Sequence, residues 1–151
     1  MAFIHEENIF LNEEFSTQDE IFHFLSDKTV ELGFSTSKEA VYQKLTEREA
    51  EGTTGMMDGF AIPHAKAEEI KESQVVIVRL KNSIDWQSMD GNPTSFVIAL
   101  FIPEEESGTT HLKLLSRVAR LLMRSEVTSA LKAAETESAI AQLLNQKIKE
   151  V

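Results

Sequence analysis

The chain has 151 residues, of which 42% are hydrophobic and 26% charged, and this length and balance predict one globular domain with its own core. Acidic side chains outnumber basic ones by 25 to 15, so the formal net charge of −10 disfavours binding to a nucleic-acid backbone. The sequence contains no cysteine, which excludes disulfides, zinc–thiolate sites and cysteine chemistry.

Two helices are predicted in the first third of the chain. Residues 17–32 begin with a threonine–glutamate capping box, carry apolar residues at helical spacing and stop at Gly33. A second helix is predicted from Thr36, with Glu39 as its box partner, to about Arg48. The glycine-containing segment that follows has the composition of a loop.

Two strands are predicted in the middle of the chain, at residues 75–80 (VVIVRL) and 95–102 (SFVIALFI). Both are short runs of apolar and β-branched residues, which is typical of strands buried on both faces. The sequence DGNP at residues 90–93 predicts a turn between them, and Pro103 ends the second strand.

Three helical segments are predicted after the strands, at about residues 111–124, 126–134 and 137–149. Helices on both sides of a small sheet indicate an α/β fold, a three-layer α/β/α sandwich. Because some connections between strands are short, we expect a mixed central sheet.

No apolar stretch reaches the ~20 residues of a membrane-spanning helix, and the N-terminus has no signal-peptide pattern. We therefore expect a cytoplasmic protein that neither inserts directly into a membrane nor binds nucleic acid.

His64 is the first candidate for chemistry because it follows an apolar run and Pro63 at the predicted end of a strand, where ligands gather in open α/β sheets. Gly52, Gly55 and Gly59 lie upstream, where they allow close backbone approach and can present amides to an anion. Two interpretations stay open for these residues: a reactive histidine, or a strand-end histidine that is satisfied by a backbone carbonyl.

His111 is the second candidate, since it follows two threonines that suit an N-cap and is predicted in the first turn of its helix. The positive end of the helix dipole disfavours imidazolium there and favours a bound oxyanion. A histidine that merely packs at a helix start is the alternative. His5 is predicted as a surface residue and His23 as a helix-face residue at the margin of the core.

Nucleophilic chemistry fits these histidines better than a metal site, because neither has carboxylates at ligand spacing apart from Asp58. A neutral imidazole can accept a phosphoryl group on nitrogen, which needs mainly positioning and charge stabilisation. Arg48 can supply donors for phosphoryl oxygens, and Asp58 can orient an imidazole N–H. A helix-terminal arginine and a turn aspartate are the structural alternatives. No P-loop or GxSxG motif is present, so no cofactor is predicted.

Four motifs occur in order along the chain: RE at residues 48–49 before TTG, DGFAIPH ending at His64, IDW followed by the DGNP turn, and HLKLLS starting at His111. With these motifs the chain resembles an enzyme IIA component of the bacterial phosphoenolpyruvate-dependent sugar phosphotransferase system, in the fructose/mannitol family. The resemblance covers most of residues 1–151, as a single type-2 EIIA domain, and also implies a three-layer α/β/α fold.

The resemblance implies that His64 accepts a phosphoryl group from phospho-HPr and passes it to a cysteine of a cognate enzyme IIB. It further implies that His111 is a second active-site histidine, that Arg48 stabilises the transferred charge, and that Asp58 lies near the site. A stand-alone regulatory EIIA of the nitrogen type, in which the phosphohistidine acts as a binding switch, is the alternative within the family. A non-catalytic domain that binds an anion at the glycine loop is a third.

Overall fold

A five-stranded mixed sheet lies between two layers of helices in the computed structural model. The structure describes residues 4–106 and 109–151, except for the side chains of residues 106 and 109–112. The strands are β1 (Ile9–Glu13), β2 (Phe60–Ala61), β3 (His64–Ala67), β4 (Gln74–Ile84) and β5 (Thr94–Pro103), and the helices are α1 (Gln18–Glu31), α2 (Lys38–Glu51), α3 (Thr109–Leu121), α4 (Ser125–Ala133) and α5 (Glu137–Ile148). Single 3₁₀ turns cover Glu6–Asn8 and Glu104–Glu106.

The sheet has the order β1-β4-β5-β2. Strand β3 also pairs with β5, farther along β5 than β2 does. Strands β4 and β5 are antiparallel, whereas β1 runs parallel to β4, and β2 and β3 run parallel to β5. The predicted fold class is thus confirmed, including the mixed sheet. Within the described residues, no helix has the length and apolar character that crossing a membrane requires.

The core is divided by the sheet, because successive side chains of a strand point to opposite faces. On β4, Ile77 belongs to the cluster that packs against α3, α4 and α5, while its neighbour Val78 belongs to the cluster under α1 and α2. On β5, Ile98 likewise belongs to the cluster under α3, α4 and α5, and its neighbour Ala99 to the cluster under α1 and α2. Both faces of β4 and β5 are therefore buried along their apolar runs, as their sequences predict.

Helix α1 is confirmed, including its cap, because the hydroxyl of Thr17 accepts the backbone N–H of Glu20. Helix α2 starts close to its predicted position, but its cap and its C-terminal end differ from the prediction. The hydroxyl of Ser37, one residue after Thr36, accepts the N–H of Ala40 and caps the helix. The helix also continues past Arg48 to Glu51, so that Arg48 lies in its last turn.

The C-terminal end of α2 packs against β3, and this contact positions the candidate site. Strand β3 begins at His64, which pairs with Leu100 of β5. A short loop joins α2 to β2 and returns the chain to the same edge of the sheet. The helix end, the loop and the start of β3 therefore meet in one place.

Candidate active site

The sequence analysis placed His64 at the end of a strand, but β2 ends at Ala61 and His64 is the first residue of β3. The residue is only 6% exposed to solvent. Its Nδ1 lies 3.0 Å from the carbonyl oxygen of Ile62, and its Nε2 lies 3.0 Å from Nε of Arg48. A guanidinium nitrogen can only donate a hydrogen bond, so Nε2 accepts and the ring proton resides on Nδ1, which donates to the Ile62 carbonyl. The contacts therefore select one neutral tautomer, with the lone pair on Nε2.

The backbone that carries His64 is held on both sides. The N–H of Ile62 donates to the carbonyl of Thr54 at 3.0 Å, and the carbonyl of Pro63 accepts the N–H of Leu100 at 3.0 Å. Proline has a fixed φ and no N–H, so it can stand between these anchors without leaving a donor unpaired. The Ile62 carbonyl is thereby aimed at the imidazole.

Arg48 links the end of α2 to the imidazole. Besides the bond from Nε to His64, its Nη1 donates to the carbonyl of Gly52 at 2.7 Å, just past the end of α2. Within the described part of the chain, its Nη2 has no hydrogen-bond partner. A guanidinium held in this way can present a further N–H to an oxyanion beside Nε2.

A cavity of about 340 Å³ opens above these two side chains. Two lysines and two glutamates complete the lining that the structure describes, and Lys44 forms a loose ion pair with Glu47 at 3.8 Å. The lining residues are Lys44, Glu47, Arg48, Glu51, His64 and Lys66. The cavity is polar, and its described cationic side chains outnumber the two glutamates, which suits an anionic group brought by another molecule.

The loop between α2 and β2 is held by Glu49, a residue for which the sequence analysis predicted no role. Its two carboxylate oxygens accept the backbone N–H of Thr54 at 2.8 Å and the Thr54 hydroxyl at 2.6 Å. Thr54 is buried, with 4% of its surface exposed. The signal was present in the sequence, because a carboxylate next to Arg48 precedes two threonines whose N–H and hydroxyl groups need acceptors.

The predicted close backbone approach at the glycines is found at Gly55. A Cβ at this position would lie 2.1 Å from the backbone oxygen of Gln87, which real Cβ atoms do not approach. The neighbouring Thr53 hydroxyl also bonds the same oxygen. Glycine at this position lets the loop pack directly against the segment after β4.

Asp58 does not join His64 and Arg48 in the described contacts. Its carboxylate pairs with Lys132 of α4 at 2.8 Å, and its N–H donates to the carboxylate of Asp90 at 2.9 Å. The hydrogen bond from Lys132 lowers the pKa of the Asp58 carboxyl below its ordinary value. The imidazole N–H that Asp58 was expected to orient is held by Ile62. A part for Asp58 in the site therefore stays a prediction.

His111 is the third residue of α3 and so lies in its first turn, as the sequence predicts. Its side chain lies outside the described residues, and its role beside His64 stays a prediction. His23 lies farther from the core than predicted: its side chain is 60% exposed, stacks on Tyr42 at 4.1 Å and pairs with Asp19 at 3.4 Å. Among the described residues, no three His, Cys, Asp or Glu side chains are grouped to hold a metal ion.

Comparison with known proteins gives one family. The family described as "Phosphoenolpyruvate-dependent sugar phosphotransferase system, EIIA 2" matches residues 2–147. The chain is 32% identical over 142 residues to the fructose-specific EIIA component of Haloferax volcanii, covering 94% of this chain and 92% of that protein. It is 38% identical over 120 residues to a nitrogen regulatory protein of Bradyrhizobium diazoefficiens, covering 80% and 77%.

Other relatives are much longer than this chain. The chain is 30% identical over 144 residues, 95% of its length, to the 2-O-alpha-mannosyl-D-glycerate-specific EIIABC component of Escherichia coli, of which it spans 22%. Among solved structures, the nitrogen regulatory protein IIA-Ntr from Neisseria meningitidis superposes with a TM-score of 0.87 at 25% identity, covering 94% of this chain and 96% of that one.

Proposed function

This chain belongs to the EIIA 2 family of the phosphoenolpyruvate-dependent sugar phosphotransferase system, and we propose that it is a phosphocarrier whose His64 accepts a phosphoryl group from phospho-HPr and passes it to an enzyme IIB. The observation that carries the proposal is the pair of hydrogen bonds on the imidazole. They place the proton on Nδ1 and the lone pair on Nε2, beside a guanidinium that faces the polar cavity.

The first transfer forms a bond between Nε2 of His64 and phosphorus while the phosphorus–nitrogen bond of the donor breaks. The electron pair of the broken bond stays on the donor imidazole. No proton has to leave His64 during the attack, because its proton is already on Nδ1. The ring becomes positively charged as Nε2 is phosphorylated, and the Ile62 carbonyl at 3.0 Å from Nδ1 stabilises this charge.

Arg48 acts on the phosphoryl group in this scheme. Its Nε–H must turn from the lone pair of Nε2 toward a phosphoryl oxygen as the new bond forms, and Nη2 supplies a second donor to the same group. We propose that His111, in the first turn of α3, also holds the phosphoryl group or the ring of His64. Both roles stabilise charge during transfer without a metal ion.

The second transfer reverses these events on a different acceptor. A thiolate of enzyme IIB attacks phosphorus, the bond from Nε2 breaks, and the electron pair returns to Nε2 to restore the neutral Nδ1–H tautomer. The naming of the Escherichia coli relative as an EIIABC component supports an enzyme IIB as the acceptor of this chain. The coupled uptake and phosphorylation of a sugar would follow in the membrane component.

Labelling tests this proposal directly. We expect the protein to gain an acid-labile, base-stable phosphate when it is incubated with radiolabelled phosphoenolpyruvate, enzyme I and HPr. The His64→Ala variant should gain none. His23→Ala is the matched control, since it removes an exposed imidazole from α1, and it should be labelled normally. An unlabelled wild type, or a labelled His64→Ala protein, would refute the assignment.

A regulatory role is the second candidate, and the similarity to two nitrogen regulatory proteins favours it. In this case phosphorylation of His64 would change the charge of the cavity and thereby the partner that binds there. Incubating the labelled protein with candidate IIB proteins separates the two functions. Rapid loss of label to one of them supports transport, whereas a phosphoprotein that transfers to none supports a switch.

A further inference from the structure

We propose that Glu49 is a positioning residue that fixes the tautomer of His64 through Thr54 and Ile62. The significance of this role for phosphoryl transfer rests on the function proposed above, whereas the contacts themselves do not. Among the described residues, Glu49 hydrogen-bonds to Thr54 and is not part of the lining of the cavity around His64. Its effect passes through two short hydrogen-bonded links.

The first link joins Glu49 to the loop. Both of its carboxylate oxygens are used, one by the N–H and one by the hydroxyl of the same residue, Thr54. Hydrogen bonds to a carboxylate are stronger than those between neutral groups. Because Thr54 is buried, solvent does not readily replace either bond. The position of the Thr54 peptide therefore depends on Glu49.

The second link joins Thr54 to the imidazole. The Thr54 carbonyl accepts the N–H of Ile62, and the Ile62 carbonyl accepts Nδ1–H of His64. The next residue, Pro63, is anchored to β5 through Leu100. The direction of the Ile62 carbonyl is thus set by a strand on one side and by the Thr54 loop on the other.

Arg48 and Glu49, two neighbours in the last turn of α2, each influence one nitrogen of the His64 ring. Successive residues of an α-helix point about 100° apart, so neighbouring side chains reach different partners. Arg48 bonds Nε2 directly, while Glu49 acts on Nδ1 through Thr54 and Ile62. The Arg-Glu pair at the end of α2 therefore defines both sides of the imidazole.

This matters because only one neutral tautomer can attack phosphorus at Nε2. If the Ile62 carbonyl is displaced, the ring loses the acceptor that holds its proton on Nδ1. Part of the population then carries the proton on Nε2, where no lone pair is left for transfer and the N–H opposes that of Arg48.

The test compares Glu49→Gln with the wild type by two measurements. The ring nitrogen chemical shifts of ¹⁵N-labelled His64 report its tautomer, with His64→Gln used to assign them, and rapid-quench labelling reports the rate of phosphoryl acceptance. A glutamine can still accept the Thr54 N–H through its oxygen and can donate its amide to the Thr54 hydroxyl, so this variant replaces two charge-assisted bonds with weaker neutral ones. Glu39→Gln is the matched control, because it removes the same charge from the opposite end of α2.

We expect Glu49→Gln to lower the Nδ1–H population of His64 and to slow phosphoryl acceptance about fivefold, because the two bonds to Thr54 lose their charge assistance. The KM for phospho-HPr should stay unchanged, because Glu49 does not line the cavity at which the donor is proposed to act. Thr54→Val removes only the hydroxyl bond and provides a second variant, with a shift in the same direction. Thr54→Ser keeps the hydroxyl and should behave as the wild type.

Unchanged His64 shifts in both Glu49→Gln and Thr54→Val would overturn the proposal, even if both variants lost thermal stability. Such a result would assign Glu49 a purely structural role in the loop. The shifts are measured without any donor protein. If the wild type accepts no phosphoryl group, the proposed function fails while the shifts still decide whether Glu49 positions the ring.

Discussion

The contact between Arg48 and His64 gives the sharpest prediction, and Arg48→Lys tests it while keeping the positive charge. A lysine has a single nitrogen, so it cannot bond Gly52 and the imidazole while also presenting donors to a phosphoryl group. The loss of one or two hydrogen bonds to a charged group predicts a fall in the rate of phosphoryl acceptance of about 10- to 100-fold.

The stability of Arg48→Lys should change much less than its rate. The bond from Nη1 to the Gly52 carbonyl lies near solvent at the end of α2, so its loss should cost about 1 kcal/mol of unfolding free energy. Denaturant unfolding measures this cost, and rapid-quench labelling from phospho-HPr measures the rate. Both have to be determined on the same preparation.

Arg124→Lys provides the control for this prediction. Arg124 forms an exposed ion pair with Glu150 at 3.1 Å, and a lysine there should leave the rate unchanged. If Arg48→Lys accepted the phosphoryl group at the wild-type rate, the proposed role of the several N–H donors of the guanidinium would be contradicted. A rate that falls only when the protein is partly unfolded would also contradict it.

Three further predictions concern His111, Gly55 and Asp58. His111→Ala should still be labelled on His64 but should transfer the phosphoryl group to an enzyme IIB more slowly, and equal onward transfer would remove His111 from the mechanism. Gly55→Ala should lower the unfolding free energy by about 1–3 kcal/mol, because the added Cβ would meet the Gln87 oxygen; thermal unfolding measures the loss, and an unchanged midpoint would contradict it. Asp58→Asn should be less stable than the wild type near pH 7 by less than about 1 kcal/mol, since its ion pair with Lys132 is exposed. Because the ion pair lowers the pKa of Asp58, the stability difference between variant and wild type is fully present above the unfolded-state pKa of about 4. The difference should disappear as the pH falls through the lower folded-state pKa. A stability difference that persists in acid would refute the ion-pair explanation.

The strands show where sequence patterns are sufficient and where they are not. The runs that became β4 and β5 are buried on both faces, so their apolar character alone predicts them. Strand β3, with the sequence HAKA, has little intrinsic preference for an extended backbone. It is a strand because it pairs in parallel with β5, a contact between residues far apart in sequence that no local pattern encodes.

The candidate site also has some features that the sequence predicts and others that it does not. Arg48 and His64 could be predicted as partners because one ends a helix before the glycine loop and the other follows the next apolar run. The sequence could not show that Asp58 turns toward α4, because that direction depends on a positive φ of 61° and on Lys132, many residues later. A histidine satisfied by a backbone carbonyl was one of the interpretations that the sequence left open, but the sequence could not show that the carbonyl is that of Ile62.

The burial of His64 bears on how the proposed carrier would keep its phosphoryl group. His64 is 6% exposed and Ile62 closes the Nδ1 edge of its ring, so among the described contacts the Nε2 edge is the one that faces the cavity. A partner must then bring its own nucleophile to this edge, past a described lining that contains both lysines and glutamates. In the proposed scheme Arg48 stabilises the charge of both transfers, so the choice of acceptor would depend on which proteins fit the surface around the cavity. Transport and regulation can therefore share the same chemistry at His64 and differ only in the partner.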